Sequence, residues 1–329
     1  MSDTFKLLAE PHAVSPFHAG ELAVQERVGV RELAHSSGIR GIRPSMPEQH
    51  RAFFTNLPLM VLGGVDANGQ PWATVRVGQP GFLSSSDVHT LHIAGTTLPG
   101  DPLADAWKVG SLVGGLGIQA ETRRRNRVNG VITAIDHNAL TLNVSQSFGN
   151  CPKYIQSRTP TWVPSLLSAA HQQTRYSRQL EALDQALIEA ADTFFIASVN
   201  AADDAGIARG ADVSHRGGPP GFVRVDDAAT LIVPDFSGNR FFNTLGNLAV
   251  NSRAGLLFLD YIHGDLLYLA VDAEIIWDKA RLSEFAGAER LLRLRVREVR
   301  RSPAALPFTW SPVEFAPQFA AFNIAHHGA

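Results

Sequence analysis

Two neighbouring stretches hold the residues best equipped for chemistry: Asp212-Val213-Ser214-His215-Arg216-Gly217-Gly218 and Val233-Pro234-Asp235-Phe236-Ser237-Gly238-Asn239-Arg240-Phe241-Phe242-Asn243. The Gly238-Asn239-Arg240 turn offers a guanidinium, an amide donor and free backbone N–H groups ahead of a predicted helix, a set that suits a phosphate. Arg216 closes a predicted strand beside it, so two guanidiniums can converge on one anion. Two further segments carry donors. Thr122-Arg123-Arg124-Arg125-Asn126-Arg127 is a basic run entering a strand, and reads either as a ligand wall or as a solvated hairpin face. Ser147-Phe148-Gly149-Asn150-Cys151-Pro152-Lys153-Tyr154-Ile155 gathers a glycine turn, an amide, the only thiol, a lysine and a tyrosine. Its candidate ligand contacts are Asn150, Lys153 and Tyr154; a capped helix start with a buried cysteine is the alternative.

Other chemistries are poorly served. No His or acid adjoins Cys151, so nothing marks it as a nucleophile. One cysteine excludes an intrachain disulfide and any multi-cysteine metal or iron–sulfur site. The twelve histidines show no HExxH or HxH spacing, His326 and His327 fall in a polar tail, and no structural metal is expected. No GxGxxG unit is present to bind a dinucleotide. A formal net charge of −2 gives no overall field to hold nucleic acid. No apolar run approaches the roughly 18 residues of a membrane span, and Met1–Lys6 lacks a secretory pattern. The cytoplasm is the expected location.

The elements that must position these residues come as a repeat. The 329 residues, 45% hydrophobic and 18% charged, suffice for two globular domains. Phe53-Phe54 with Leu59–Leu62 resembles Phe194–Ser198, Gln79–Leu83 resembles Pro219–Val223, and Thr90–Ile93 resembles Thr230–Val233. Gly114–Ile118 then matches Gly255–Leu259, and Gly130–Asp136 matches Asp272–Asp278. The same order at a spacing of a whole domain indicates a duplication. Each copy consists of short apolar runs broken by turn residues, as in the Asp66-Ala67-Asn68-Gly69 hairpin between Val61–Val65 and Trp72–Val77. Antiparallel strands that must hide their edges suggest barrels. Short helices are expected over Leu103–Trp107 and Arg240–Leu248, and connecting ones over Gly20–Ala34, from Pro47, and over Tyr176–Ala191. The expected division is a helical extension at 1–46, barrel one at 47–159, a linker at 160–175, and barrel two at 176–329 with an irregular C-terminal arm over Pro303–Phe322. The copies differ at the anion turn, where barrel one has Gly100-Asp101-Pro102. An acid and a proline there do not suit a phosphate.

The order His-Arg-Gly-Gly (215–218), Gly-Phe-Val-Arg-Val (221–225), Leu-Ile-Val-Pro-Asp-Phe-Ser-Gly-Asn-Arg (231–240), a short helix with Asn243 and Leu245, then Asn251–Phe258 resembles the pyridoxamine 5'-phosphate oxidase-like flavoproteins. These are FMN-binding split barrels. The resemblance spans residues 47–156 and 176–300 and is specific in the second copy. It implies a mainly β fold of two tandem split β-barrel domains with short connecting helices, and FMN as cofactor. By the same resemblance Arg216 and Arg240, with Ser214 and Asn239, would hold the flavin phosphate, and His215 belongs to that motif. Val233, Pro234 and Asp235 would border the isoalloxazine, and Asn243 would reach the phosphate or ribityl chain. Arg125 lies in the run through which relatives touch the ring from a partner barrel. His215 and Gly-Asn-Arg stand where pyridoxamine phosphate oxidases show a basic strand end and Ser-Arg-Lys, which argues against the vitamin B6 reaction itself.

The resulting expectation is an FMN-dependent oxidoreductase, with electrons from NAD(P)H or a reductase partner and a small-molecule substrate or electron acceptor. No nucleic acid or membrane partner is expected, and a homodimer is. The alternative is a non-catalytic flavin- or haem-binding carrier or sensor on the same scaffold.

Overall fold

Asp66 makes the first reversal of the chain. Its Oδ1 accepts the backbone N–H groups of Asn68 at 2.8 Å and Gln70 at 3.0 Å. Gly69 takes the left-handed conformation (φ +70°) that the turn requires. The turn joins β1 (Leu59–Val65) to β2 (Pro71–Val77), paired from Leu59↔Val77 to Val65↔Pro71. In this computed structural model the described residues are 15–137, 139–169 and 173–322; Met1–Lys6 and the His326–His327 pair lie outside them.

Barrel one adds β3 (Leu83–Ser84), β4 (Thr90–Ile93), β5 (Thr96–Thr97), β6 (Leu112–Gln119), β7 (Arg124–Asp136) and β8 (Ala139–Gly149), in the spatial order β3-β4-β8-β7-β6-β1-β2-β5. After it come β9 (Pro160–Trp162) and β10 (Arg175–Ser177). Barrel two comprises β11 (Thr193–Asn200), β12 (Gly210–Gly217), β13 (Arg224–Asp227), β14 (Thr230–Phe236), β15 (Arg253–Leu259), β16 (Leu266–Ile276) and β17 (Ala288–Ser302). Its order is β12-β11-β15-β16-β17-β14-β13, with β10 added on β17. The fold is mainly β, two tandem split barrels with short connecting helices, as the sequence implied.

Strand pairing fixes how the copies correspond. Gly63 opposes Gly114 in barrel one as Ala197 opposes Gly255 in barrel two. The two barrels meet reciprocally at these positions. A Cβ on Gly114 would lie 2.4 Å from the Ala211 carbonyl oxygen, and one on Gly255 would lie 2.4 Å from that of Pro71. Glycine is therefore needed at both close approaches. The surrounding interface is apolar, with Val61, Val75 and Leu116 packed against Phe195, Val213 and Leu257. Fully burying one such side chain is worth about 1.5–3 kcal/mol, so this shared core fixes the two barrels to each other.

The helices differ in part from expectation. The Gly20–Ala34 segment forms two helices, α1 (Ala19–Val28) and α2 (Arg31–Gly41), because Gly29 ends the first in a left-handed cap at φ +72°. α3 (Glu48–Thr55) falls where Pro47 predicts it. Phe53 and Phe54 lie on α3, whereas Phe194 and Phe195 lie on β11, so that pairing in the repeat fails and Met60–Val61 are the true counterparts. Leu103–Trp107 forms turns rather than a helix. Within 160–175, β9 pairs with β18 (Phe308–Trp310) from the C-terminal arm, followed by α4 (Pro164–Ala169). Tyr176 belongs to β10, and the helix α5 spans only Ala182–Ala190, capped by Glu181. α6 (Asn243–Val250) follows the Gly238-Asn239-Arg240 turn, and α7 (Lys279–Leu282) precedes β17. Among the described residues no helix is long and apolar enough to cross a membrane.

Candidate functional site

The two donor-rich stretches of barrel two and the two of barrel one meet at one cleft, which encloses about 890 Å³ of non-protein space partly open to solvent. β12 supplies Ser214, His215 and Arg216, and the end of β14 supplies Pro234 and Asp235. The following turn and α6 supply Asn239, Arg240, Asn243 and Thr244; from barrel one come Arg125 and Arg127 of β7, then Asn150, Cys151 and Tyr154. Arg125, Arg127, Arg216 and Arg240 line the cleft, and Asp235 is the only acid among its lining residues. That acid is already neutralised. Asp235 pairs with Arg216 and, through Oδ2, with Arg290 Nε at 2.7 Å.

The start of α6 faces this cleft without a cap. Its N-cap residue, Phe242, has no side chain able to accept from the first turn and sits in the left-handed region at φ 62°. The orphan N–H groups of a helix start attract an anion. Arg240 (φ 64°) shares that left-handed conformation and is exposed. Three donor nitrogens of lining residues, Arg127 Nε, Arg216 Nε and Asn150 Nδ2, are buried without an acceptor among the described residues. A wall rich in unmatched donors and positive charge fits an anionic group such as a phosphate.

A buried polar network underlies the cleft and ties the barrels together. Arg127 Nη1 donates to Asp212 Oδ1 at 2.8 Å, and its Nη2 donates to Ser214 Oγ. Asp212 also accepts from Asn129 Nδ2 at 2.8 Å and Asn247 Nδ2 at 2.9 Å. Thr244 Oγ1 donates to Ser214 at 2.9 Å. The N-terminal helix joins the same network. Glu21 accepts from Asn243 Nδ2 at 2.5 Å and from the His18 backbone N–H at 2.9 Å, while His18 Nε2 meets Asn247 Oδ1 at 2.9 Å. Burial, with the nearby Asp212 charge, pushes the Glu21 carboxyl up to about 8. His18-Ala19-Gly20-Glu21 is thus docked against α6, where Gly20 is essential: a Cβ there would lie 2.3 Å from the Gly246 carbonyl oxygen.

His215 has a defined protonation. Its Nδ1 meets Arg125 Nη1 at 2.9 Å, and a guanidinium only donates, so Nδ1 accepts and the proton sits on Nε2. Burial and the Arg125, Arg216 and Arg158 charges hold the ring neutral, well below the ordinary histidine range. Burial likewise lowers Arg125 to about 10, and its Nε donates to the Cys151 carbonyl at 3.0 Å.

Of the residues singled out in the sequence, Ser214, His215, Arg216, Pro234, Asp235, Asn239, Arg240, Asn243, Arg125, Asn150 and Tyr154 line this cleft. Asn239 Nδ2 even reaches Asn150 Oδ1 across the barrels, at 3.2 Å. Val233, expected at a ring edge, is instead buried in barrel two's core. Lys153 is half-buried and lies outside the cleft lining. Tyr154 stacks obliquely on Phe236, centroids 5.3 Å apart, closing one end. The sequence reading missed Arg127, Thr244 and the Asp212–Asn247–Glu21 layer. Arg127 stands in the basic run and Asp212 in the His215–Arg216 stretch; Thr244 and Asn247 carry no local signal.

At the matching position on the opposite side the counterpart side chains are buried. By strand register Thr74 corresponds to Ser214, Arg76 to Arg216, Trp72 to Asp212 and Tyr268 to Arg127. Arg76 is buried beside Asp101, and Arg300 stacks on Trp72 at 4.7 Å. Asp101 itself is buried, with Oδ1 accepting from the Leu103 N–H at 2.8 Å.

No family model matches this sequence, and no curated protein does. Solved structures resemble parts of it. HupZ of Group A Streptococcus matches at TM-score 0.29 and 16% identity, over 37% of this chain and 98% of that one. An FAD-binding protein from Mycobacterium smegmatis matches at TM-score 0.27 and 15% identity, over 39% of this chain and 99% of that one. An FMN-binding protein from Syntrophomonas wolfei matches at TM-score 0.26 and 13% identity, over 41% and 86%.

Proposed function

We propose that the inter-barrel cleft binds flavin mononucleotide and that the chain is an FMN-dependent oxidoreductase, with NAD(P)H or a reductase partner as electron source. The observation that carries this reading is the excess of donors over acceptors on the cleft wall. Of the four lining arginines Arg216 is paired with Asp235 and Arg127 with Asp212, while Arg125 and Arg240 meet no carboxylate among the described residues; three buried donors lack acceptors there, and an uncapped helix start lies among them. Arg216, Arg240, Ser214, Thr244 and Asn243 would hold the phosphate at the start of α6. Arg125, Arg127 and Asn150 would face the flavin from barrel one. When bound, the flavin supplies redox chemistry, while the protein orients it and shapes its electrostatics. His215 keeps a proton on Nε2 at the cleft wall and stays uncharged near neutrality.

Titration of purified protein with FMN, followed by visible absorbance and equilibrium dialysis, tests the reading. Losing one charge-assisted hydrogen bond costs about 1.5–3 kcal/mol, so Arg216→Ala and Arg240→Ala should each weaken FMN binding roughly 10- to 100-fold. Arg297→Ala, which removes an exposed exterior arginine, should leave it unchanged. Absence of FMN affinity in the native protein, or equal affinity in all three variants, would overturn the assignment. Anaerobic bleaching of the bound flavin by NAD(P)H, and its reoxidation by an added acceptor, separate an oxidoreductase from a carrier, which would keep its colour.

A further inference from the structure

Residues 17–25 brace the turn that lines the cleft. Gln25, wholly buried on α1, donates from Nε2 to the Phe241 carbonyl at 3.1 Å. Phe17 packs on the Phe241 ring with centroids 5.4 Å apart. One helical turn before Gln25, Glu21 accepts from Asn243 Nδ2 at 2.5 Å. The braced residues sit beside Arg240 and Phe242, which both hold the left-handed conformation. A non-glycine residue persists in that conformation only where its surroundings hold it.

This brace contains a buried acid with no cation of its own. Glu21 is 2% exposed. The titratable groups facing it are Asp212 of β12, Arg127 of β7 and His18 at the cap of its own helix. α6 carries no ionisable side chain and presents the amides of Asn243 and Asn247. Arg127 is committed to Asp212 and Ser214. His18 is uncharged, because its Nδ1 accepts from the Gly20 N–H at 3.1 Å and so holds no proton. A carboxylate removed from water beside a second carboxylate, without a counter-ion, is costly, and such a group stays neutral instead.

We propose that α1 is a latch on the anion turn with Glu21 as its catch: the helix stays docked while that carboxyl is uncharged, and its ionisation releases α1 and loosens the turn. The ligand in this scheme rests on the flavin reading; the latch does not. A phosphate at the start of α6 adds negative charge beside Asn243 and so favours the uncharged acid. Ligand binding and protonation then strengthen each other by the same factor.

Hydrogen exchange of the full chain, read by mass spectrometry, tests the latch without ligand. The carboxyl stands at about 8 when docked against an ordinary value of 4.5, so docking is strongest below 4.5 and weakens as pH rises towards about 8. Protection of the Ala19–Val28 amides, corrected for intrinsic rates, should fall roughly 10- to 100-fold from about pH 6 to about pH 8. It should also lie below that of the Leu266–Ile276 strand, because the helix leaves while the barrels stay folded. Glu21→Gln, which cannot ionise, should flatten the pH profile. Equal protection of helix and strand, or a flat profile in the native protein, would overturn the proposal, and neither reading needs the variant to fold. With FMN added, protection of α1 should rise, and native FMN affinity should fall about 10-fold from about pH 7 to about pH 9, the limit for one proton. The phosphate adds no slope there, its second pKa being about 6. FMN binding that leaves α1 unprotected and is independent of pH would break the link between latch and site. Absence of FMN affinity at every pH would sink the flavin reading and leave the latch standing.

Discussion

Arg127 reaches from barrel one to a carboxylate of barrel two, and both groups are almost entirely removed from water. Breaking a buried pair by truncating one partner leaves an uncompensated charge, which costs about 3–5 kcal/mol. Arg127→Met should therefore lower the free energy of unfolding by that order in urea titration, because Asp212 keeps its charge and loses its main partner. Arg127→Lys restores a charge but cannot reach both Asp212 and Ser214, and should recover only part of the loss. Glu21 behaves in the opposite sense. Its folded-state carboxyl is raised to about 8 from an ordinary value of 4.5, so the native state retains a proton that the unfolded chain releases. Stability tied to this group is full below about 4.5 and is lost as pH rises through about 8, by on the order of a few kcal/mol. Thermal melts across that window should show a falling midpoint for the native protein. Glu21→Gln, which cannot ionise, should flatten the profile; an unchanged slope would remove Glu21 from the account.

The elements explain how such residues are brought together. α1 crosses α6 through two glycines, and a Cβ on Gly246 would lie 2.4 Å from the Glu21 side chain and 2.6 Å from its backbone. Gly246→Val should separate the helices, release Asn243 from Glu21 and weaken FMN binding together with the melting temperature. Overpacking of this kind typically costs about 1–3 kcal/mol. The strands themselves were legible in the sequence. Asp66–Gly69 announces its own turn, and the recurrence of Thr90–Ile93 as Thr230–Val233 marks β4 and β14 as counterparts. The turn that lines the cleft was legible too, since Gly238-Asn239-Arg240 is local. What escaped depends on partners distant in the chain. Nothing near Pro160 shows that it pairs with Trp310, and nothing near Tyr176 shows that Arg300 on β17 draws it into a strand. Phe53 and Phe54 look like the Phe194 pair by type alone; Pro47 at the N-cap, which starts α3, was the better guide. Val233 was misplaced for a similar reason. Only the end of β14, Pro234 to Phe236, reaches the cleft; Ile232 and Val233 are both buried in apolar clusters.

At the scale of the whole molecule, the cleft draws on both barrels of one chain, because barrel one adds Arg125, Arg127 and Asn150 to the donors of barrel two. FMN should bind at one equivalent per chain, with an affinity independent of protein concentration from nanomolar to micromolar in fluorescence titration. A second equivalent would mean that the Arg76–Asp101 side also opens. The meeting of Gly114 with Ala211 and of Gly255 with Pro71 has a further consequence. Where two identical subunits face each other, each codon change is made twice, so any improvement at one site is imposed on its mirror image. Here the two halves are written separately. Trp72 and Asp212 occupy matching positions, as do Tyr268 and Arg127, and each could drift without dragging its twin along. A single gene can then keep one half as ligand chemistry and turn the other into ballast.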